Sequence, residues 1–357
     1  MTGEVWPYRV PLREDELLSS FLIRNAHAHG TTPYSFLSYH WPGRPFWNRD
    51  TDRMVDRAWL DELAVCTGVS AHRLEASTLL PLRLNLGSTL PNGDTPLLLS
   101  VSVFHRTRRR YGLLYCPTCF AEGRRCYRRI WRLGFVFVCS EHGEPLLDAC
   151  PACGSPIVPH RSMYLDLTRC HRCGRSLSSS RGAMVLPPSV LELQRYLLEV
   201  LAGGSNRVGP FDRTDVFSSV RGLLSVLTSR RVHTALRAAF RLPAAQLPVD
   251  RLQFEHARTY ERILLLETLA AWMSDWPSTF RTGARSAGLT QRAFARIKQP
   301  STLQGEVARL PPGFTRGRGA KFVPRVFDRE LLRLARTDIA AYRALRAKRL
   351  QVLAGFA

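Results

Sequence analysis

Four pairs of potential metal ligands follow one another in this chain: Cys116-Pro-Thr-Cys119, Cys139-Ser-Glu-His142, Cys150-Pro-Ala-Cys153 and Cys170-His-Arg-Cys173. Every cysteine except Cys66 and Cys126 belongs to one of them. Thiolates and imidazoles are soft or borderline donors, and a gap of two residues lets one tight turn aim both at the same ion. Paired in chain order, Cys116, Cys119, Cys139 and His142 form a mixed cysteine–histidine set, and Cys150, Cys153, Cys170 and Cys173 form an all-cysteine set. The expected cofactors are two structural Zn2+ ions. Two complete sets leave no coordination position for a reacting water, so a structural role is expected rather than a hydrolytic one. A deaminase would need a His-x-Glu ahead of its Cys-x-x-Cys, whereas His105 is followed by Arg106 and Thr107. His171 adjoins Cys170, but the regular two-residue gap selects the cysteine. Cys66 reads as a small buried hydrophobe and Cys126 as a bystander on the metal loop.

Disulfides are the competing use of cysteine, and they belong to oxidising compartments. The opening Met1-Thr-Gly-Glu-Val-Trp-Pro lacks the charged-then-apolar pattern of a secretory leader, so a cytoplasmic location is expected. No run approaches the ~18 to 20 apolar residues of a membrane span. The formal charge of +22, from 51 basic and 29 acidic side chains, would draw the chain to polyanions and points to a nucleoid-associated protein. Lys stands only at 298, 321 and 348, a skew toward Arg that GC-rich coding explains without explaining the shortage of acids. Arg108, Arg109 and Arg110 precede the first ligand pair, and Arg124, Arg125, Arg128 and Arg129 lie in its loop. These seven are the candidate nucleic-acid contacts, because guanidinium offers phosphate a planar fork of donors. A second basic stretch runs from 281 to 357.

The elements that must position these residues are mainly helical. Residues 14–29 place Leu17, Leu18, Phe21, Leu22 and Ala26 on one face, with carboxylates in the first turn and Gly30 as the stop. Thr32-Pro33 opens a second helix, Asp56 to Gly68 brackets a third, and Ser70 caps a fourth. Together they form a helix-turn-helix-like N-terminal domain. Ile130 to Val138, aromatic and β-branched, reads as a strand entering the third ligand. Asp50-Thr-Asp52 with Asp56 reads as a solvated, Arg-paired turn, since Val55 stands where a calcium loop needs glycine. Beyond Gly182–Pro188 come helices over 189–201, 216–227, 230–240 and 254–273. A second helix-turn-helix-like segment spans 284–294 with Thr290 as its cap, and a last basic helix runs from Asp328 to about Leu353. The fold class expected is mainly α with small zinc-ribbon or knuckle β elements, in three domains: 1–105, 106–185 and 186–357.

The run Pro11-Leu-Arg-Glu-Asp-Glu-Leu-Leu-Ser-Ser-Phe-Leu-Ile-Arg24, followed by Ala26 and Gly30, resembles the N-terminal motif of the TniQ/TnsD family of transposon target-selection proteins. Cys116-Pro-Thr-Cys119, Trp131-Arg132, Cys139-Ser-Glu-His142-Gly-Glu-Pro-Leu-Leu147 and Cys150-Pro-Ala-Cys153-Gly154 continue that likeness in order. Trp276-Pro-Ser-Thr-Phe280 is similar to a short motif in the C-terminal half of several members. The resemblance implies an adaptor in DNA transposition, with no catalytic activity of its own. Its implied partners are an AAA+ transposition ATPase (TnsC/TniB-like) and target DNA, or an RNA-guided CRISPR effector complex marking that DNA. It carries over the metal ligands residue by residue and no base-reading residue.

Two other classes compete. A stand-alone, sequence-specific DNA-binding regulator would use one of the helix-turn-helix candidates and bind one short duplex unaided. An enzyme would need a matched constellation of acids or nucleophiles, and none emerges from the sequence. His27-Ala-His29 has no Asp-His continuation and reads as a helix end. The apolar C-terminal helices offer an interface for a homodimer.

Overall fold

The computed structural model describes residues 4–53, 56–87, 95–101, 111–179, 186–203, 211, 214–295, 299–313 and 325–354. They divide into two compact units, Met1–Pro311 and Pro312–Ala357. Among the described residues the regular elements are helices, joined in places by isolated antiparallel bridges. None of these helices is long and apolar enough to cross a membrane.

The first unit opens with α1 (Leu18–Ala28), α2 (Pro33–His40), α3 (Arg57–Thr67), α4 (Ala71–Ala76) and α5 (Leu80–Asn85). The face expected on α1 is the buried one: Leu17, Leu18, Phe21, Leu22 and Ala26 are fully shielded from solvent. Each large apolar side chain among them contributes about 1.5–3 kcal/mol by leaving water. The expected caps hold at Thr32, which accepts from Ser35 N, and at Ser70, which accepts from Arg73 N; Asp56 also caps α3 by accepting from Ala58 N. Gly68 closes α3 in the left-handed region at φ +71°, where a side chain would be strained. The start expected for α1 needs correction. Glu14, Asp15 and Glu16 lie outside the helix, because its first N–H groups are taken by remote acceptors: Leu18 N donates to Ser77 O at 2.9 Å and Ser19 N to Asp52 Oδ1 at 2.7 Å.

Asp50-Thr-Asp52 is Arg-paired as expected, but it is not solvated. Asp52 is 3% exposed and, besides capping α1, meets a wholly buried Arg132 that also reaches Asp50 at 2.5 Å. Placing Asp52 at a helix N-terminus and beside a guanidinium makes its burial tolerable.

The strand expected over Ile130 to Val138 is also corrected. Ile130–Arg132 is a 3-10 turn, and beyond it the backbone bonds one group at a time to scattered partners. Gly134 N donates to Leu97 O at 2.7 Å, Gly134 O accepts from Arg262 Nη1 at 2.6 Å, and Phe137 N and Val138 N share Gln194 Oε1 at 2.9 and 3.2 Å. Side chains and isolated backbone bridges, rather than one continuous strand ladder, satisfy this backbone, so the β-prone composition expresses itself as burial. Trp131, Phe135 and Phe137 are core residues.

After α6 (Pro117–Ala121) and the metal-ligand region, α7 (Pro188–Leu201), α8 (Val216–Leu227), α9 (Arg230–Ala239) and α11 (Ser278–Ser286) pack around α10 (Thr259–Met273). The helix expected from Phe254 starts instead at Thr259, after a 3-10 turn over Phe254–His256. Asp148 fixes that start by accepting from Thr259 N at 2.7 Å and pairing with Arg258 at 2.9 Å. The expected second helix-turn-helix is reduced. α11 and its turn at Gly288 are present, but α12 (Gln291–Phe294) is a single turn; the Thr290 side chain caps nothing and Gln291 N donates to Pro311 O. α13 (Ser301–Ala308) follows.

In the second unit, the single helix expected from Asp328 is two, α14 (Arg325–Thr337) and α15 (Ile339–Ala354). Asp338 divides them, because its carboxylate accepts from Ala340 N and Ala341 N and so starts a new helix.

Candidate metal centre

The first ligand pair is presented by a helix end. Cys116 is the N-cap of α6, Pro117 occupies the first turn, where its missing N–H costs nothing, and Cys119 N points at Cys116 Sγ at 3.4 Å. The other three pairs share a different turn. Cys139, Cys150 and Cys170 each donate their N–H to the carbonyl five residues on, at Glu144, Ser155 and Arg175. In each, the same cysteine's carbonyl accepts from a glycine four residues on: Gly143, Gly154 and Gly174, at φ +64°, +67° and +72°. Glycine suits the position because, just past the second ligand, the chain turns back through the left-handed region so that the next carbonyl meets the first ligand's N–H. The bridges Val138 with Pro145, Ala149 with Pro156 and Arg169 with Ser176 close the bases of these turns and are the small β elements of the region.

The eight ligands expected from the sequence converge in the two expected sets, the donor atoms of each lying within 4.8 Å of one another. In the mixed set, Cys119 Sγ is 3.7 Å from Cys139 Sγ. His142 Nδ1 is 3.4, 3.4 and 3.5 Å from the sulfurs of Cys116, Cys119 and Cys139. A tetrahedral ion with bonds of about 2.3 Å to sulfur and about 2.0–2.1 Å to nitrogen requires edges near about 3.8 Å and about 3.6 Å. In the all-cysteine set, Cys150 to Cys173 is 3.6 Å and Cys153 to Cys170 is 3.7 Å. Both sets have the dimensions to hold a tetrahedral metal ion. Without a cation the thiols resist joint ionisation: hydrogen bonding with Cys116 raises the Cys119 thiol, and burial raises Cys150 to about 12.

Supporting contacts surround the ligands. With Nδ1 turned to the sulfurs, His142 Nε2–H donates to Glu122 Oε2 at 3.0 Å, which fixes the ring's tautomer and orientation. Ser155 Oγ lies 3.1 Å from Cys153 Sγ and 3.5 Å from Cys170 Sγ. Neither residue is identifiable from ligand spacing, although Glu122 stands three residues past Cys119, where the end of a short helix turns back. The ligands Cys139, Cys150 and Cys170 are buried, and Cys173 is exposed at the rim. Cys66 and Cys126 stay outside both sets, and both are buried.

The arginines expected at nucleic acid separate into groups. Arg108, Arg109 and Arg110 lie outside the described residues. Arg124 is exposed and pairs with Glu141 and Glu122. Arg128 bridges Asp15 and Glu141 at 3.2 and 2.6 Å. Arg129 pairs with Asp15 at 3.3 Å and donates to Ala76 O. Arg128 and Arg129 are therefore engaged in fixing the metal loop to the segment before α1. Arg125 is exposed and makes no ion pair among the described residues.

Residues 7–146 match the TniQ family, a stretch that contains α1 to α6 and all four ligands of the mixed set and ends before Cys150. No curated protein matches the chain. The likeness read from the helix-forming run after Pro11 and from the first two ligand pairs falls within the matched residues, and the chain carries a TniQ-family domain over 7–146.

Proposed function

We propose that the chain is a target-selection adaptor of DNA transposition. It joins target DNA, or an RNA-guided CRISPR effector complex marking it, to an AAA+ transposition ATPase of the TnsC/TniB kind, and through that ATPase to the transposase. The observation that carries this proposal is the TniQ match over 7–146, since that family is associated with transposition target selection. The metal ion proposed for both ligand sets is Zn2+, held by Cys116, Cys119, Cys139 and His142 and by Cys150, Cys153, Cys170 and Cys173.

The mechanism is geometric. A closed tetrahedral ion supplies folding free energy to a segment with little regular structure. That segment then holds the helices before and after it through buried polar contacts: Arg132 to Asp50 and Asp52 on one side, and Asp148 to Arg258 and Thr259 on the other. An adaptor needs such stiffness, because two partners bound to one chain communicate only if their separation is fixed. No covalent step is assigned to the chain. Phosphate contact at the metal loop is proposed through Arg125 and the exposed Arg124, with Arg108, Arg109 and Arg110 beside them in sequence.

The test is capture of an AAA+ transposition ATPase of the TnsC/TniB kind by the full chain, with and without target DNA. Stable capture of the ATPase, with transposition lost when the chain is omitted, is the expected outcome. Tight binding to one short duplex without affinity for the ATPase would instead establish a stand-alone regulator.

A further inference from the structure

The second unit carries an uneven charge. Eight basic side chains stand against three acidic ones between Arg325 and Ala354, and none of residues 330–351 is fully buried. α14 and α15 pack on each other, with Leu331 and Leu334 of α14 and Tyr342 and Leu345 of α15 half-buried. The opposite face of α14 is a row of arginines. Arg325, Arg329, Arg333 and Arg336 follow at intervals of four, four and three residues, the spacing that stacks side chains along one side of a helix. Arg333 and Arg336 are exposed, and neither makes an ion pair among the described residues. Asp328 and Glu330 fall on the flanks of this row rather than in it. Asp338 ends the helix, and its carboxylate accepts from Ala340 N and Ala341 N. Leu332, 66% exposed, lies beside the row.

We infer that this face of α14 docks on the phosphate backbone of duplex DNA. Like charges three and four residues apart repel one another on a helix, so the row disfavours α14 on its own and a polyanion relieves it. At a rise of about 1.5 Å per residue the four positions span about 16 Å, a length over which a duplex presents a phosphate roughly every 1.7 Å. A straight row of cations on a rigid helix suits anions that are themselves regularly placed. A single strand lacks that regularity and is held by aromatic platforms, whereas Tyr342, the one aromatic residue between 330 and 351, is half-buried. Of the two kinds of duplex, B-form DNA admits a helix to its major groove, about 12 Å wide, while A-form RNA closes that approach. A membrane surface would need an apolar face where the arginines stand, and a second copy would bring like charge to like charge. The contacts are to phosphate, so they position the chain without reading bases. The inference goes beyond the proposed adaptor, which gives the second unit no role, and it lies outside the residues matched to the family.

The test titrates the full chain with two DNA duplexes of unrelated sequence over a range of salt, comparing the parent with Arg333→Gln and Arg336→Gln combined. Glutamine keeps the helix propensity of arginine, so α14 is preserved, and circular dichroism and thermal midpoint should match the parent. Affinity for both duplexes should fall to a similar degree. The slope of log K against log salt should become shallower by roughly two, about 0.9 per lost phosphate contact. Leu332→Arg, which adds a cation beside the row, should steepen the slope by about one. The same glutamine exchange at Arg343 and Arg346, which share a face of α15 with Ile339 and Leu350, should change the slope by less. An unchanged slope in the α14 variant, an equal change from the α15 variant, loss confined to one sequence, or a parent chain that binds no duplex would each overturn the inference. So would binding to anionic phospholipid vesicles or to duplex RNA that depends on Arg333 and Arg336 as strongly as the binding to DNA does. ATPase capture is read on the same variants. If capture fails in the parent while the salt slopes behave as stated, the adaptor falls and the α14 contact stands.

Discussion

At the scale of single residues, the ligands are separable from the groups that hold them in place. Glu122 illustrates the difference, since it touches no ion yet sets the tautomer that leaves His142 Nδ1 free to coordinate. Glu122→Ala should weaken metal binding at the mixed set by about 10- to 100-fold while leaving the all-cysteine set unchanged, read by chelator competition on the two ions. An equal loss at both sets, or none, would remove Glu122 from the account. The thiols give the pH dependence its sign. With Cys119 raised and Cys150 at about 12, both hold their protons at neutral pH without metal, so binding expels protons and affinity rises with pH. The ligands are legible because their signal is local, two per turn. The residue after each of the last three pairs is a glycine, at 143, 154 and 174. Asp52, Asp148 and Gln194 carry no such signal, because each acts on backbone far away in the chain and nothing in its neighbours announces the partner.

At the scale of elements, remote carboxylates decide where helices begin. α1 and α10 look from local pattern as though they start earlier, at 14 and 254, yet Asp52 and Asp148 cap them at 18 and 259. Apolar periodicity fixes which face is buried. It does not fix an end whose cap comes from another part of the fold, and it misreads 130–138, where β-prone side chains are buried around an irregular backbone. Arg132 is the joint between the metal region and α1, and Arg132→Met should cost about 3–5 kcal/mol near neutral pH, because buried Asp52 and half-buried Asp50 lose their shared cation. Burial and the neighbouring Asp50 raise Asp52 to about 6, so it binds a proton more tightly folded than unfolded. The stability linked to that proton is present in full below the unfolded value near 3.8 and is lost as pH rises through about 6. Removing Arg132 takes away an influence that lowers Asp52. The destabilisation, measured by denaturant unfolding against the parent at each pH, should therefore shrink between pH 7 and pH 5. A penalty that grows toward pH 5 would contradict the assignment of Asp52 as the partner.

At the scale of the molecule, the first unit is one body in which the metal region lies between two sets of helices in sequence and bonds to both. The boundaries expected near 105 and 185 fall in stretches outside the described residues, while hydrogen bonds such as Arg262 to Gly134 and Gln194 to Phe137 cross from one expected segment to another. The mainly helical class with small knuckle elements was readable in advance. The merging of segments was not, because it depends on single polar contacts between distant positions. The proposed adaptor requires the two ligand sets to be filled, and the direct measurement is elemental analysis with metal-edge X-ray absorption on the full chain purified under reducing conditions. The account predicts two zinc ions per chain and a first shell of sulfur with a minor nitrogen component. A folded chain holding well under two ions, or ions bound through oxygen, would contradict it.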